Sequence, residues 1–228
     1  MLRLVLARHG QTPANVAKAL DTVLPGPGLT DLGRLQAEAL GKELAADPLG
    51  PITALASSPA RRARETASLV APAVGLSPAV VEGTHEVQVG ELEGLDDEAA
   101  IRRFRSVYDA WREGDVHARM PGGESGRDVL DRYLPAVEGL RDEYPSGTVV
   151  LVSHGAVLRL VSHALVGELP GLGADDHVDN CGRVVLQAGP DGGWRLEAWR
   201  REVRAMPTPG GAGSRRRSRS GGRSRAPR

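Results

Sequence analysis

Leu2–Gly10 reads LRLVLARHG, and Thr148–Gly155 reads TVVLVSHG. Each is a short aliphatic run that ends in a histidine and a glycine. Such runs suit strands buried on both faces, as in a parallel sheet. In open α/β sheets, ligands bind outside the carboxyl ends of the strands, where these His-Gly pairs fall. His9 and His154 are 145 residues apart in sequence, yet both are expected at one end of one sheet. A lone histidine is more often structural. The repeated placement argues for a shared site, and the glycine after each histidine admits a close backbone approach.

The elements around these strands follow from spacing and punctuation. Pro13 suits the first turn of a short helix through Leu20. Thr30 reads as an N-cap ahead of apolar residues at helical spacing, with Pro48 ending that element. Ile52–Ala56 reads as a strand. Ser58 is expected to cap the next helix with Pro59 at its first position, and Pro72 to kink or end it. Ala79–Glu82 reads as a third strand. Asp96 is expected to cap a helix running to about Arg112. Ser125 and Asp128 form a capping-box pattern for a helix to about Tyr144. Helix from about Ala156 to Val166 follows the TVVLVS strand. Arg183–Gln187 and Trp194–Ala198 read as a hairpin pair joined by Gly189–Gly193. Strands alternating with helices imply an α/β fold with a largely parallel sheet.

Composition bounds the function. The chain has 228 residues with 29 basic and 29 acidic side chains, but the neutral sum is misleading. Residues 206–228 hold seven arginines and no acid, so residues 1–205 carry 22 basic against 29 acidic groups, a net of −7. The expectation is an acidic domain over 1–205 and a disordered Arg/Ser/Gly-rich tail over 206–228. The tail reads as a weakly interacting extension, with electrostatic nucleic-acid binding as its alternative role. No apolar run approaches the ~18–20 residues of a membrane span. The N-terminus lacks the pattern of a signal peptide, so cytoplasm is the expected location. Cys181 is the only cysteine, which leaves no internal disulfide and makes a zinc cluster implausible. Aromatics make up 3%, too few for base-stacking platforms.

A third strand-to-helix junction carries Ser57-Ser58-Pro59-Ala60-Arg61-Arg62-Ala63-Arg64-Glu65-Thr66-Ala67. A helix start with an early Arg attracts anions, although Arg64 reads as a solvated surface residue. With this segment the chain resembles the histidine phosphatase superfamily, the phosphoglycerate mutase-like proteins. The matching pieces are Arg8-His9-Gly10-Gln11-Thr12-Pro13-Ala14-Asn15, Leu29-Thr30-Asp31-Leu32-Gly33, the Ser57–Ala67 stretch with its key Arg62, Glu86 ahead of Gly90–Gly94, Gly122–Ser125, and Ser153-His154-Gly155. They run in order over roughly residues 1–200.

The resemblance implies a three-layer α/β/α sandwich and a helical cap at about 83–124. It implies hydrolysis of phosphate monoesters through a phosphohistidine on His9. Arg8, Arg62 and His154 would meet the phosphate charge, Thr12 and Asn15 would add neutral donors, and Gly155 would line the site. Glu86 would protonate the leaving group, with Glu91 as its rival. The arginines would take the place of a metal, so no metal or cofactor is expected. The partner would be a small phosphate monoester, with no membrane involved. The sequence does not reveal the oligomeric state. The mutases of this family carry a Lys eleven positions after the catalytic Glu and a later Arg pair. Here the eleventh position is Asp97, and Ala110–Gly114 holds one Arg, so the phosphatase reading leads. The alternatives are a phosphoglycerate mutase or a catalytically weak protein that binds through its tail. Phe104, Tyr108, Trp111 and Met120 read as the core of the cap rather than as a pocket. His85, His117, His163 and His177 have no motif support.

Overall fold

The computed structural model describes residues 1–167 and 177–203. Strands β1 (Leu2–Arg8) and β4 (Gly147–Ser153) are parallel neighbours, in register from Leu2 opposite Gly147 to Arg8 opposite Ser153. Strand β2 (Ile52–Ser57) pairs parallel with β4 on its other side. The carboxyl ends of three adjacent strands therefore meet at one edge, at Arg8, Ser57 and Ser153. Strand β3 (Ala79–Val80) extends the parallel part beyond β2. Strands β5 (Arg183–Ala188) and β6 (Trp194–Arg200) continue the sheet antiparallel from β1. The six strands lie in the order β3-β2-β4-β1-β5-β6.

Alternation along the central strands makes three layers. Leu4, Leu6, Val149 and Leu151 face one core, which packs on α4 (Glu98–Arg112), α5 (Gly126–Glu143) and α6 (Gly155–Val166). Val5, Ala7, Val150 and Val152 face the other, against α2 (Asp31–Ala46) and α3 (Arg61–Val74). Continuous burial of β1 and β4 explains their unbroken aliphatic sequence. The four residues expected in a cap core divide. Tyr108, Trp111 and Met120 are buried in the first core, whereas Phe104 is only partly buried against it. The basic segment 206–228 lies outside the described residues.

Several local expectations need correction. Helix α1 is only Pro13–Ala17, because Lys18 takes a left-handed conformation with φ 61°. The third strand is two residues long. Asp97, not Asp96, caps α4 by accepting from the N–H groups of Ala99 and Ala100. Helix α3 begins at Arg61 with Ala60 at the N-cap and no side-chain cap. The Ser58 hydroxyl is occupied elsewhere, as described below. Pro72 sits inside α3 without ending it, and Gly75 terminates the helix with φ 71°. Thr30 and the Ser125–Asp128 capping box behave as expected.

Close backbone contact with α2 helps to hold the turn after β1. A Cβ on Gly33, in the first turn of α2, would lie 2.1 Å from the Gln11 carbonyl oxygen. A Cβ on Gly10 would lie 2.4 Å from the Gly33 carbonyl oxygen. Backbone cannot move aside as a flexible side chain can. Gly33→Ala is therefore expected to lower stability by about 1–3 kcal/mol, the usual cost of overpacking. It should also reduce turnover by roughly 100-fold by displacing the His9 turn. Urea unfolding with parallel kinetics measures both, and wild-type kinetics would refute the close packing.

Candidate active site

His9 follows β1 and is 4% exposed. Its Nδ1 lies 2.7 Å from the Gly10 carbonyl oxygen. A carbonyl only accepts, so Nδ1 carries the hydrogen and Nε2 keeps its lone pair. The His9 backbone is fixed as well: its N–H donates to Ser153 O, and its carbonyl accepts from Asn180 Nδ2. The following N–H, of Gly10, donates to Thr66 Oγ1 on α3. A strand, a helix and the loop before β5 thus converge on the backbone that carries this imidazole.

His154, at the N-cap position of α6, is fully buried. Arg62 Nε donates to its Nδ1 at 3.2 Å. Arginine has no acceptor, so Nδ1 holds the lone pair and Nε2–H donates to Ser58 Oγ at 2.7 Å. Ser58 also accepts from the Ala60 N–H, which is why it serves the site more than the helix. The rings of His9 and His154 have centroids 5.2 Å apart and are inclined at 61°.

Arg8 and Arg62 bring positive charge to the same place. Arg62, 2% exposed, also donates through Nη2 to the Asp21 carbonyl. Its Nη1 is buried without a hydrogen-bond acceptor, as is Arg8 Nε. Arg8 Nη1 donates to Val178 O. A Cβ on Gly155 would lie 3.1 Å from Arg8 Nε, so glycine there lets the guanidinium rest against the start of α6. A buried and a half-buried guanidinium, each with a buried donor left unmet, make an anion receptor.

Glu86 stands on the loop before the 3₁₀ turn Gly90–Leu92. Its Oε2 accepts from the Ala156 N–H, and its Oε1 from the N–H groups of Val157 and Val87. The carboxyl group thus lies at the α6 N-terminus, where it meets the backbone N–H groups that open the helix. Arg132 holds this loop in place. It donates to the carbonyls of Gly83, His85 and Glu86 and forms a two-armed ion pair with Glu124. The sequence motif Gly122–Ser125 thus finds a physical reason in Glu124. The rival acid, Glu91, is exposed on the 3₁₀ turn.

Arg8, His9, Thr12, Asn15, Arg62, Glu86 and Gly155 line one cavity of about 170 Å³. His154 stands directly behind it through Arg62. Thr12 caps α1 reciprocally with Asn15, and Asn15 Oδ1 also accepts from Asn180 Nδ2, which leaves the Asn15 amide N–H₂ as a donor group. Leu20, Val87, Phe104, Ala156, Arg159 and His177 also line this cavity. Sequence reasoning missed Asp21, Arg132, Arg159, His177 and Asn180, because none lies in a strand-end motif. Cys181 is a buried thiol raised by burial, and its N–H donates to Arg8 O.

A family model described as the histidine phosphatase superfamily, branch 1, matches residues 4–202. A glucosyl-3-phosphoglycerate phosphatase of Mycolicibacterium vanbaalenii is 34% identical over 216 residues, covering 86% of this chain and 93% of the relative. A 2,3-bisphosphoglycerate-dependent phosphoglycerate mutase of Methylobacterium radiotolerans is 39% identical over 175 residues, covering 74% and 79%. Other curated relatives are longer, and the chain spans 35% of one and 51% of another. Among solved structures, a mycobacterial glucosyl-3-phosphoglycerate phosphatase in complex with VO3 aligns with TM-score 0.73 and 33% identity, over 87% of this chain and 98% of that one.

Burial holds both imidazoles well below the usual 6.5, and the nearby arginines push the same way. A lowered pKa keeps a histidine neutral further into acid. The pH dependence of kcat/KM reports groups of the free enzyme. Its acid limb for His9 is therefore expected below pH 6.5, and a limb at or above 6.5 would contradict this environment.

Proposed function

We infer that this chain, which belongs to the histidine phosphatase superfamily, branch 1, hydrolyses small phosphate monoesters through a phosphohistidine on His9. The observation that carries the reading is the Nδ1–H bond from His9 to Gly10 O, which leaves a neutral Nε2 lone pair in the cavity that Arg8 and Arg62 line, each with a buried, unmet donor. A nucleophile in this form needs no separate base.

The first step forms an N–P bond at His9 Nε2 as the ester P–O bond breaks. Arg8 and Arg62 bind the phosphoryl oxygens, and their fixed positive charge stabilises the transferring group. Gly155 keeps Arg8 close, and Asn15 and Thr12 add neutral donors. His154 acts with Arg62, and the leaving oxygen takes its proton from Glu86. In the second step Glu86 accepts a proton from water as that water attacks phosphorus. The N–P bond breaks, and inorganic phosphate leaves with His9 restored. The arginines supply the cationic field in both steps, so the scheme uses no metal or cofactor. Arg132 keeps Glu86 at the cavity wall by gripping its loop.

We read residues 1–205 as the catalytic domain, with 83–124 as a helical cap over the leaving-group side. Among the described residues no helix is long and apolar enough to cross a membrane. A cytoplasmic location accords with a single buried thiol. The named mutase relative supports a second reading, transfer between phosphoglycerate positions. Against it, Asp97 is committed to capping α4 where those mutases carry a cation. The phosphatase relative supports a sugar- or glycerate-bearing phosphate as substrate.

The test is a panel of phosphate monoesters assayed for released inorganic phosphate, alongside interconversion of 3- and 2-phosphoglycerate with bisphosphoglycerate added. Phosphate release should dominate, and interconversion without it would favour the mutase. Glu86→Gln should slow alkyl phosphates about 10²–10⁴-fold, the usual range for a lost general acid. It should affect nitrophenyl phosphate much less, because that leaving group needs no proton. Equal losses on both would remove Glu86 from the role.

A further inference from the structure

One wall of the cavity holds a carboxyl group to which the mechanism gives no task. Asp21 lies between two residues whose backbones are tied down. Leu20 exchanges backbone hydrogen bonds with Gly94 and Leu95. Thr22 gives both its N–H and its hydroxyl to Glu93 and receives Gln88 Nε2 on its carbonyl. The Asp21 side chain is thus presented to the cavity by a braced loop, and the residue lines it with His9 and Glu86.

The contacts of this side chain are incomplete. Asp21 Oδ2 is 3.7 Å from Arg62 Nη1, beyond hydrogen-bond distance. Both atoms are buried, and neither has a hydrogen-bond partner. Arg62 Nη1 is also the open donor that the phosphate reading needs. A dianion bound there meets an acid at close range. An ionised Asp21 would repel it, whereas a protonated Asp21 would donate a hydrogen bond to it.

The groups facing Asp21 define the balance. Arg62 comes from α3, and Glu93 from the segment after the 3₁₀ turn. Across the cavity stand Arg8 and His9 at the end of β1, Glu86 on its loop, and Arg159 and His177. Burial raises the Asp21 carboxyl from its ordinary value and Glu93 raises it further, while Arg62 opposes them. An anion on Arg62 cancels the one opposing influence.

We propose that Asp21 is a further phosphate-binding residue that engages the phosphoryl group in its protonated form, so that anion binding draws a proton from solvent. The proton goes onto the Asp21 carboxylate, and the resulting O–H donates to a phosphoryl oxygen without any covalent change in the ligand. The proposal rests on the phosphate-site reading and deepens it.

Sulfate is a suitable probe because it stays a dianion across neutral pH. Sulfate binding to the full chain is measured calorimetrically near pH 7 in buffers of different ionisation enthalpy. The dependence of heat on buffer gives the protons taken up. Wild type should take up close to one proton more than Asp21→Asn. Raising the pH should weaken sulfate binding more steeply in wild type than in that variant. Asp21→Glu, which keeps a titrating carboxyl, should retain at least half of the extra uptake, and a variant that fails to fold shows itself by circular dichroism. If Asp21→Asn fails to fold, Asp21→Glu and the wild-type pH dependence carry the test, and wild-type uptake near zero overturns the proposal. Equal proton counts in wild type and a folded Asp21→Asn overturn it while leaving the phosphate site intact. Sulfate binding that is absent, or unchanged by Arg62→Ala, contradicts the phosphate-site reading on which the proposal rests.

Discussion

The hydrogen bond from His9 Nδ1 to the Gly10 carbonyl is the constraint on which the rest of the site depends. It is a contact between neighbouring residues, yet it requires the whole fold. The Gly10 carbonyl can point back at its neighbour only because the turn is pinned by Ser153 from β4, Thr66 from α3, Asn180 before β5 and the backbone of α2. Those anchors come from sequence positions 33 to 180. The pairing of β1 with β4 and with β5 brings Ser153 and Asn180 to this turn.

The same economy appears in the charges. His154 is locked between Arg62 and Ser58, so the second imidazole is also a fixed tautomer. Arg62 is fully buried and Arg8 half-buried, and desolvation is the main influence lowering the pKa of each. Desolvated cations with unmet donors are costly in an empty site and favour an anionic ligand. That local field explains how a stretch of chain, residues 1–205, with net charge −7 can serve an anionic substrate. Arg132 performs a different service with the same chemistry. Its planar fork gathers three carbonyls and a carboxylate and so fixes the loop that carries Glu86.

Much of this was legible in the sequence because strand ends are local. LRLVLARHG and TVVLVSHG carry both the burial pattern that makes the sheet and the residues that the sheet presents. The helix starts with reciprocal side-chain caps, such as Ser125–Asp128, were equally readable. Misreadings arose where a residue had two uses. Ser58 has the identity of a cap, but its hydroxyl is drawn to His154, a partner 96 positions away. Asp96 and Asp97 are both competent caps, and only the path of the loop chooses between them. Asp21 and Arg132 carried no signal, because their importance lies in partners distant in sequence and they belong to no periodic pattern.

The central claim is that His9 Nε2 becomes covalently phosphorylated. The direct measurement is rapid quench of the enzyme during turnover of a phosphate monoester, followed by peptide mass spectrometry under alkaline conditions that preserve phosphohistidine. The account predicts one acid-labile phosphoryl group on the peptide holding His9, formed within the first turnover and absent from His9→Asn. Full turnover with no phosphorylated peptide, or with the label on His154 or an acidic side chain, would contradict it.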